Sequence, residues 1–574
     1  MTLYINDILH NRGYKQYYYL FNMKKLLLLA FATIGINNVH AQTMLWTYPL
    51  KDVSFGQTAA KDVDGDGKLE LIFSTYWNDS NVYCLNAEDG SLKWKHHQPG
   101  PSGGCNDAGP LIFDPFGNGN YKVVIPGSCM DTTFCVDADS GYVQWKTVTG
   151  GGDSPPSTAD VDGDGIPEVL HGTFYGNIEC LDGQTGAIKW TLPVDANAAI
   201  ESEATIVRNG TELDFASATW DFTLDSNRIA CYRASDHSLK WAHYTNNLIY
   251  HGAATGDLFR NGGQELVVGD YDGYLYCLKA DDGTLLWKDS VSKLAGGYIG
   301  APVTLADLDN DGYLDVIYMD GSMVRVVNRH DSTMWTYVVP GADYTNFRGA
   351  VVADVNNDNI KDVTFCTDYG IVTSLDGTTG AVIRTYDLLN YATTVLGDTS
   401  SIFEVDNAPI IADMNGDGVL DLFIIAGKGR SDSTTYNDYG YAFCLSWGTG
   451  KGPAWTMFRH DERRTACLCD TSGLPLATTT TLLQHSSDVQ IMPNPSTGAF
   501  NVLFSLPQSC EVAISVTDVT GKVVLPVRSS YYKAGSNTIA FSKEQTDALP
   551  AGVYFVRLSS DAVNVVERVV IERK

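Results

Sequence analysis

The chain has 574 residues, with 68 Asp and Glu against 39 Lys and Arg and a formal net charge of −29. That balance excludes nucleic acid as a partner, because phosphate binding needs clustered Lys and Arg. Hydrophobic residues make up 44%, which excludes general disorder, and the length suits a large repeat fold with a satellite domain.

Residues 1–41 read as an export signal behind a spurious extension. Lys24-Lys25 precedes the apolar run Leu26–Ile36, and Val39-His40-Ala41 supplies a small-residue cleavage site. Met23 is the expected start, since the residues before it lack signal character. The apolar run is too short to span a bilayer, and no other segment is a transmembrane candidate. The mature chain is expected to begin near Gln42, outside the cytoplasm.

From residue 42 to residue 470 one acidic stretch recurs at a period of roughly 50 residues, the signature of a propeller or solenoid. Ser157-Thr-Ala-Asp-Val-Asp-Gly-Asp-Gly-Ile-Pro-Glu-Val-Leu170 is the fullest copy. It sets Asp160, Asp162, Asp164 and Glu168 close together, and Gly163 and Gly165 permit a tight turn. Oxygen ligands crowded in this way suit Ca²⁺, which accepts six to eight oxygens in flexible geometry. The flanks are strand-like, so the stretch is a calcium loop between two strands and not an EF-hand. The other copies place Asp62, Asp64, Asp66 and Glu70; Asp307, Asp309, Asp311 and Asp315; Asp354, Asn356, Asp358 and Asp362; and Asp413, Asn415, Asp417 and Asp421. Lys68, Ile166, Tyr313, Ile360 and Val419 are counted with them as metal-site residues. Worn copies begin at Asp114 and Asp257, and the copy near Val207–Glu212 has lost the pattern.

Each unit reads as four short strands, shown by Gly300–Ala306, Leu314–Tyr318, Val324–Val327 and Met334–Tyr337 (A to D). A Trp closes most units, at 94, 145, 190, 241, 287, 335 and 455, and is expected to pack between units. Cys84, Cys135, Cys180, Cys231, Cys277 and Cys444 share one repeat position, too far apart to bridge, and read as small buried hydrophobes. Cys105 with Cys129 is an expected bridge, and Cys467-Leu-Cys469 is left open. The fold predicted is all-β: an eight-bladed β-propeller, with seven blades as the alternative. Met44–Tyr48 is expected to supply a fourth strand to the last blade and so close the ring.

The acidic loops resemble the calcium loops of FG-GAP (integrin-alpha-type, VCBS-like) repeats. Segments such as Tyr276-Cys-Leu-Lys-Ala-Asp-Asp-Gly-Thr-Leu-Leu-Trp287 resemble the repeats of pyrroloquinoline-quinone-type propellers. The quinone enzymes of that group carry adjacent cysteines, which this chain lacks, so Ca²⁺ is the one cofactor expected.

Residues 471–490 read as a linker, with Thr478–Thr481 at its centre. Residues 491–574 carry Pro-Asn-Pro-Ser-Thr-Gly, Asp-Val-Thr-Gly-Lys-Val-Val and Leu-Pro-Ala-Gly-Val-Tyr-Phe-Val-Arg-Leu in that order. This resembles the C-terminal sorting domain of the type IX secretion system. The resemblance implies a small Ig-like β-sandwich, the secretion machinery as a partner, and a product released or attached to the outer cell surface.

In a propeller the A–B loops share one face, so the calcium loops are expected to be structural clips. The D–A and B–C loops share the other face, where residues differ from unit to unit. There stand Asp153, Glu201 with Glu203, His251, Tyr298, Arg348 and Asp406, joined by Tyr76, Trp77 and Trp220. Aromatic faces beside carboxylates suit sugar rings. The expected function is therefore a secreted binding or adhesion module for an extracellular glycan or protein. The alternative is a polysaccharide lyase or hydrolase at the channel mouth, using His251, Glu201, Arg348 and Tyr298. Catalytic residues are left unassigned, because no nucleophile, zinc or phosphate-loop motif is present.

Overall fold

The computed structural model describes residues 43–98, 105–128, 130–209, 212–221, 223, 226–290, 298–341, 345, 347–398, 403–428, 439–450, 452–469, 489–506, 510–518, 523–533, 535–546, 549–559 and 564–573. The stretch expected to be an export signal, Cys129 of the expected Cys105–Cys129 bridge, and the centre of the expected linker lie outside the described residues. The chain divides between Asp470 and Thr471 into two units.

Among the described residues the first unit holds eight antiparallel sheets. Seven are consecutive four-strand meanders. Sheet 1 runs Ala59–Lys61, Glu70–Ser74, Asn81–Asn86 and Leu92–His97 (A to D), and sheets 2 to 7 repeat this order. The A strands of sheets 2 to 8 are Leu111–Phe113, Ser157–Ala159, Thr205–Asn209, Ala254–Gly256, Thr304–Ala306, Val351–Ala353 and Ile410–Ala412. B strands such as Glu168–Gly172 are buried throughout, whereas D strands such as Leu92–His97 alternate exposure, as expected of an outer strand with one wet face.

The eighth sheet draws its fourth strand from the other end of the unit. Met44–Leu50 pairs antiparallel with Tyr439–Ser446, placing Trp46 opposite Cys444. This is the pairing expected for Met44–Tyr48, and it corrects the reading of Trp455 as the last closing Trp. Apolar clusters then link the sheets in a cycle. Phe423 of sheet 8 packs with Phe73 of sheet 1, Ile72 with Ile125 of sheet 2, and Leu170 of sheet 3 with Phe215 of sheet 4.

The repeated Trp residues have a defined role. Cys84, Cys135, Cys180, Cys231 and Cys277 lie opposite Trp94, Trp145, Trp190, Trp241 and Trp287 across strands C and D. These cysteines are buried and unbridged. The Trp94 indole N–H donates to the Ala138 carbonyl of the next sheet at 2.8 Å, and Trp241 does the same to Ala280 at 2.9 Å. The ring lies on the glycine of that C–D turn. Gly141 has φ +71°, and a Cβ there would sit 2.7 Å from the Trp94 ring. The turn glycines thus provide both the left-handed conformation and the flat seat.

Residues 452–469 do not form a strand of sheet 8. They wind around the inside of the cycle against the A strands. Gly452 bridges Asp354 of sheet 7, Trp455 bridges Ile411 of sheet 8, and Met457 bridges Ala59 of sheet 1. The amides of Thr158, Ile206, Thr255 and Leu305 (sheets 3 to 6) donate to the carbonyls of Glu462, Arg463, Thr465 and Ala466 at 2.8–3.1 Å. Arg464, fully buried, donates to the carbonyls of Pro156 at 2.8 Å and Phe458 at 2.7 Å. Cys467–Leu468 then adds a parallel strand to sheet 6, and Cys467 is disulfide-bonded to Cys469. Cys105 is also disulfide-bonded. The segment satisfies inner-strand amides that have no further sheet partner. At this level the segment occupies the inside of the cycle.

The second unit holds two sheets. One orders Gln490–Met492, Phe500–Leu506 and Gly535–Phe541; the other orders Val523–Tyr532, Cys510–Asp518, Gly552–Ser559 and Asn564–Ile571. One apolar cluster, with Phe500, Val516, Val556 and Val569, draws on both. No helix among the described residues is long and apolar enough to cross a membrane.

Candidate functional site

The acidic loops lie between strands A and B of sheets 1, 3, 6, 7 and 8, and they share one hydrogen-bond pattern. In sheet 3, Asp160 accepts from Gly163 at 2.8 Å and Gly165 at 3.0 Å, Asp164 accepts from Ile166 at 2.8 Å, and Glu168 accepts from Val161 at 2.8 Å. The same contacts recur for Asp62, Asp66 and Glu70, and for Asp413, Asp417 and Asp421. Lys68, Ile166, Tyr313, Ile360 and Val419 each use the backbone N–H in this pattern.

The donor set fits a hard cation. Carboxylate oxygens of Asp62, Asp64 and Asp66 come within 4.8 Å of one another, as do those of Asp160, Asp162 and Glu168, and of Asp307, Asp309 and Asp311. Asp362 and Asp421, fully buried, each keep one carboxylate oxygen without a hydrogen-bond partner among the described residues. Burial, with the charges of Asp358 and Asp354, pushes Asp362 up to about 8. Burial, with Asp417 and Asp413, pushes Asp421 up to about 7. A divalent cation would satisfy such oxygens and favour their ionised form.

At the other end of the strands, the D–A loops bring Asp107, Asp153, Glu201 and Arg348 into one buried electrostatic cluster. Burial first, then the charges of Asp153 and Asp107, raise Glu201 well above the usual carboxylate range, while Arg348 opposes this. Glu201 also keeps Oε2 without a hydrogen-bond partner among the described residues. Arg348 donates from Nε to the Asp406 carbonyl at 3.3 Å and lies 5.8 Å from the Tyr250 ring. Beside this cluster runs an aromatic wall. Trp220 meets Tyr250 at 5.1 Å and Tyr271 at 4.8 Å, both edge-on; Tyr271 meets Tyr298 at 5.4 Å, and Tyr250 meets Phe347 at 4.8 Å.

Glu203 and His251 belong to a second layer that faces the inner segment. Glu203 Oε1 lies 3.4 Å from Arg459 Nε and 3.7 Å from His251 Nδ1, and Glu203 accepts from the Gly252 N–H. Burial alone would raise Glu203, but Arg459, His251 and that amide hold it down to about 2. His251 is pushed down to about 4, by burial first and by the charges of Arg348 and Arg459, against the pull of Glu203. A histidine depressed in this way is fully tolerated above its ordinary value of 6.5. Stability is lost as the pH falls from 6.5 towards 4, because the unfolded chain takes the proton first. The melting temperature of a His251→Gln variant should therefore change less between pH 7 and pH 5 than that of the wild type. An equal slope would remove His251 from the acid response.

The structure thus unites Asp153, Glu201, Arg348 and Asp406 around one centre, with Trp220 and Tyr298 in the adjoining wall. Trp220 is 9% exposed, so it supports the wall more than it meets solvent. Trp77 is 40% exposed and Tyr298 is 37% exposed, while Tyr76 packs edge-on against Phe55 at 4.5 Å. His251 pairs with Glu203, not with the Glu201 centre. Tyr250, Phe347 and Arg459 were not among the residues singled out in the sequence. Tyr250 stands beside His251 in a loop already marked as variable, which was the available signal; Arg459 gave none.

Two protein families match the chain. The PQQ-type repeat family described as Outer membrane protein assembly factor BamB covers residues 45–258 and 225–458. The family described as Secretion system C-terminal sorting domain covers residues 490–572. Curated relatives include the BamB proteins of Yersinia pestis, 25% identical over 44% of this chain and 58% of that protein, and of Bordetella pertussis, 26% identical over 39% and 53%. The chain therefore spans little more than half the length of these relatives. Similar solved structures include BamB from Moraxella catarrhalis, with TM-score 0.41, 18% identity, and coverage of 56% of this chain and 85% of that one. A quinohemoprotein alcohol dehydrogenase from Pseudomonas putida gives TM-score 0.49, 12% identity, 72% and 77%.

Proposed function

The chain belongs to the PQQ-type repeat propeller family described as Outer membrane protein assembly factor BamB, and on that premise we propose an exported, calcium-stabilised, eight-bladed propeller that binds a glycan or a protein. Its sorting domain sends it through the type IX secretion system to the cell surface or the extracellular space. The assembly role named for the relatives is not carried over, since that domain directs this chain past the outer membrane. Eight sheets linked in a cycle support the blade count. Two sheets on one apolar cluster support a sandwich for the sorting domain. The repeated loop geometry and the orphan oxygens of Asp362 and Asp421 support calcium.

The observation that carries the binding role is the arrangement of the face opposite the acidic loops. Exposed Trp77 and Tyr298 stand there with the aromatic wall of Trp220, Tyr250 and Tyr271, beside the carboxylates of Asp153 and Glu201. Rings present flat apolar surface to sugar C–H faces, and carboxylates accept from hydroxyls. Retention of the calcium-loaded chain in gels containing one polysaccharide is the expected result. Tyr298→Ala or Trp77→Ala should weaken that retention by about two- to ten-fold, each stacked ring being worth about 0.5–1.5 kcal/mol. Retention unchanged in both variants would move the ligand off this face; no retention by any polymer would favour a protein ligand.

A second reading, a polysaccharide lyase or hydrolase, is favoured by one observation. Burial, with the charges of Asp153 and Asp107, raises Glu201 well above the usual carboxylate range, which suits a general acid next to carboxylates. Shortening of the retained polymer, abolished in Glu201→Gln, would establish it.

A further inference from the structure

The A–B loops of sheets 1 to 4 and of sheets 6 to 8 differ in whether a lysine of the chain meets their acids. In sheet 3 the ammonium of Lys189 lies 2.5 Å from Asp162, 3.0 Å from Asp164 and 2.8 Å from Glu168. In sheet 1 Lys93 lies 2.5 Å from Asp64 and 3.8 Å from Glu70. Both lysines directly precede the Trp that docks on the next sheet, so strand D holds their stems in place. Sheet 4, whose loop has lost the acidic pattern, keeps the same device: Lys240 precedes Trp241 and lies 2.8 Å from Asp214, the residue at which strand B begins to pair with strand C. Sheet 2 goes further and puts Lys122 at the closing position itself, 2.8 Å from Asp137.

Sheets 6, 7 and 8 have no lysine at that position; in sheet 6 the guanidinium of Arg329, from the C–D turn, lies 3.3 Å from Asp311 alone and leaves Asp307 unmet. Met334, Ile383 and Leu45 occupy the corresponding strand-D positions. In these three loops Asp307, Asp362 and Asp421 each keep a buried oxygen with no hydrogen-bond partner among the described residues. Asp362 and Asp421 are themselves fully buried. An orphan carboxylate oxygen inside a ring of acids points to a cation from solution. The lysine loops already hold their cation covalently.

Resting on the calcium reading above, we propose that Lys93 and Lys189 are built-in counter-cations, so that the loops of sheets 6, 7 and 8 are the tight calcium sites. The loops of sheets 1 and 3 take calcium only by displacing a lysine. The ammonium sits among the same carboxylate oxygens that a metal must reach. It neutralises part of their charge, and its charge-assisted hydrogen bonds must break before the ion enters. This makes the five similar motifs unequal. The N-terminal sheets are pre-neutralised, and the C-terminal sheets depend on external calcium.

Calorimetric titration of Ca²⁺ into the chelator-stripped full chain tests this directly. Three tight sites and two at least about ten-fold weaker are expected. Asp362→Asn should leave two tight sites. The double variant Lys93→Met, Lys189→Met should bring the tight class to five. In excess chelator Lys189→Met should melt below the wild type, with saturating calcium restoring it. Five sites of one affinity in the wild type would overturn the proposal, as would a three-plus-two pattern unchanged in the double variant. Absence of any calcium binding would instead overturn the calcium reading itself.

Discussion

Stripping calcium from the chain should lower the melting temperature of the propeller unit by on the order of 10 °C. A site that binds only the folded state contributes about 2.7 kcal/mol when free ligand is 100-fold above Kd. On the calcium reading proposed above, several such sites would act on one cooperative unit. The loops demand this because each closes on a carboxylate that the fold buries: Glu70, Glu168, Asp315, Asp362 and Asp421 are all buried. Without a metal, burial raises these carboxyls, Asp315 for example to about 7, and at neutral pH ionising them costs stability. Calorimetric melting with calcium and with chelator is the measurement. Coincident curves would rule out a structural role for all five loops.

Glu203→Gln should destabilise the propeller by about 3–5 kcal/mol, the cost of leaving a buried charge without its partner. Glu203 is fully buried and Arg459 is 2% exposed, 3.4 Å apart. Arg459 also donates to the carbonyls of Gly252 and Ala253. It therefore ties the segment 452–469 to the loop that opens sheet 5. Removing the carboxylate leaves a guanidinium in a site that water does not reach. The double variant Glu203→Gln, Arg459→Met should recover part of the loss, because neither charge is then stranded. A Glu203→Gln chain that unfolds within about 0.5 kcal/mol of the wild type in denaturant, the range of an ordinary surface substitution, would show that the ion pair does not anchor the segment.

Much of this arrangement was legible from local pattern. The strand read at Val324–Val327 appears as Met323–Val327, and that read at Met334–Tyr337 appears as Thr333–Val338. The period-2 alternation and the Asp-Gly turns are local signals, and in a repeat each unit reports the same answer. The fourth strand supplied by Met44–Leu50 was also legible, because it carries the Trp of the other D strands, and the Trp-Thr-Tyr of Trp335–Tyr337, without a unit of its own.

The segment 452–469 was not legible. Trp455 looked like one more closing Trp because it falls about where the period puts it. Its backbone instead pairs with Ile411 of an inner strand. The reason is that the eighth D strand was already occupied by the N-terminus, which left this stretch to satisfy inner-strand amides. No window of sequence contains both facts. The candidate site divides in the same way. Asp153, Glu201, Arg348 and Asp406 were identifiable as positions that break the repeat. That Asp153, Glu201 and Arg348 share one charge cluster while His251 and Glu203 face Arg459 depends on loops brought together from six sheets.

The sequence by itself determined the all-β repeat, the acidic loops, the sorting domain and the docking Trp residues, because each rests on interactions between near neighbours or identical units. Only the tertiary structure decided what occupies the inside of the cycle, which carboxylates share a charge field, and which acidic loops hold a lysine. Those outcomes depend on burial and on distances between residues up to hundreds of positions apart, as in Arg459 reaching Gly252.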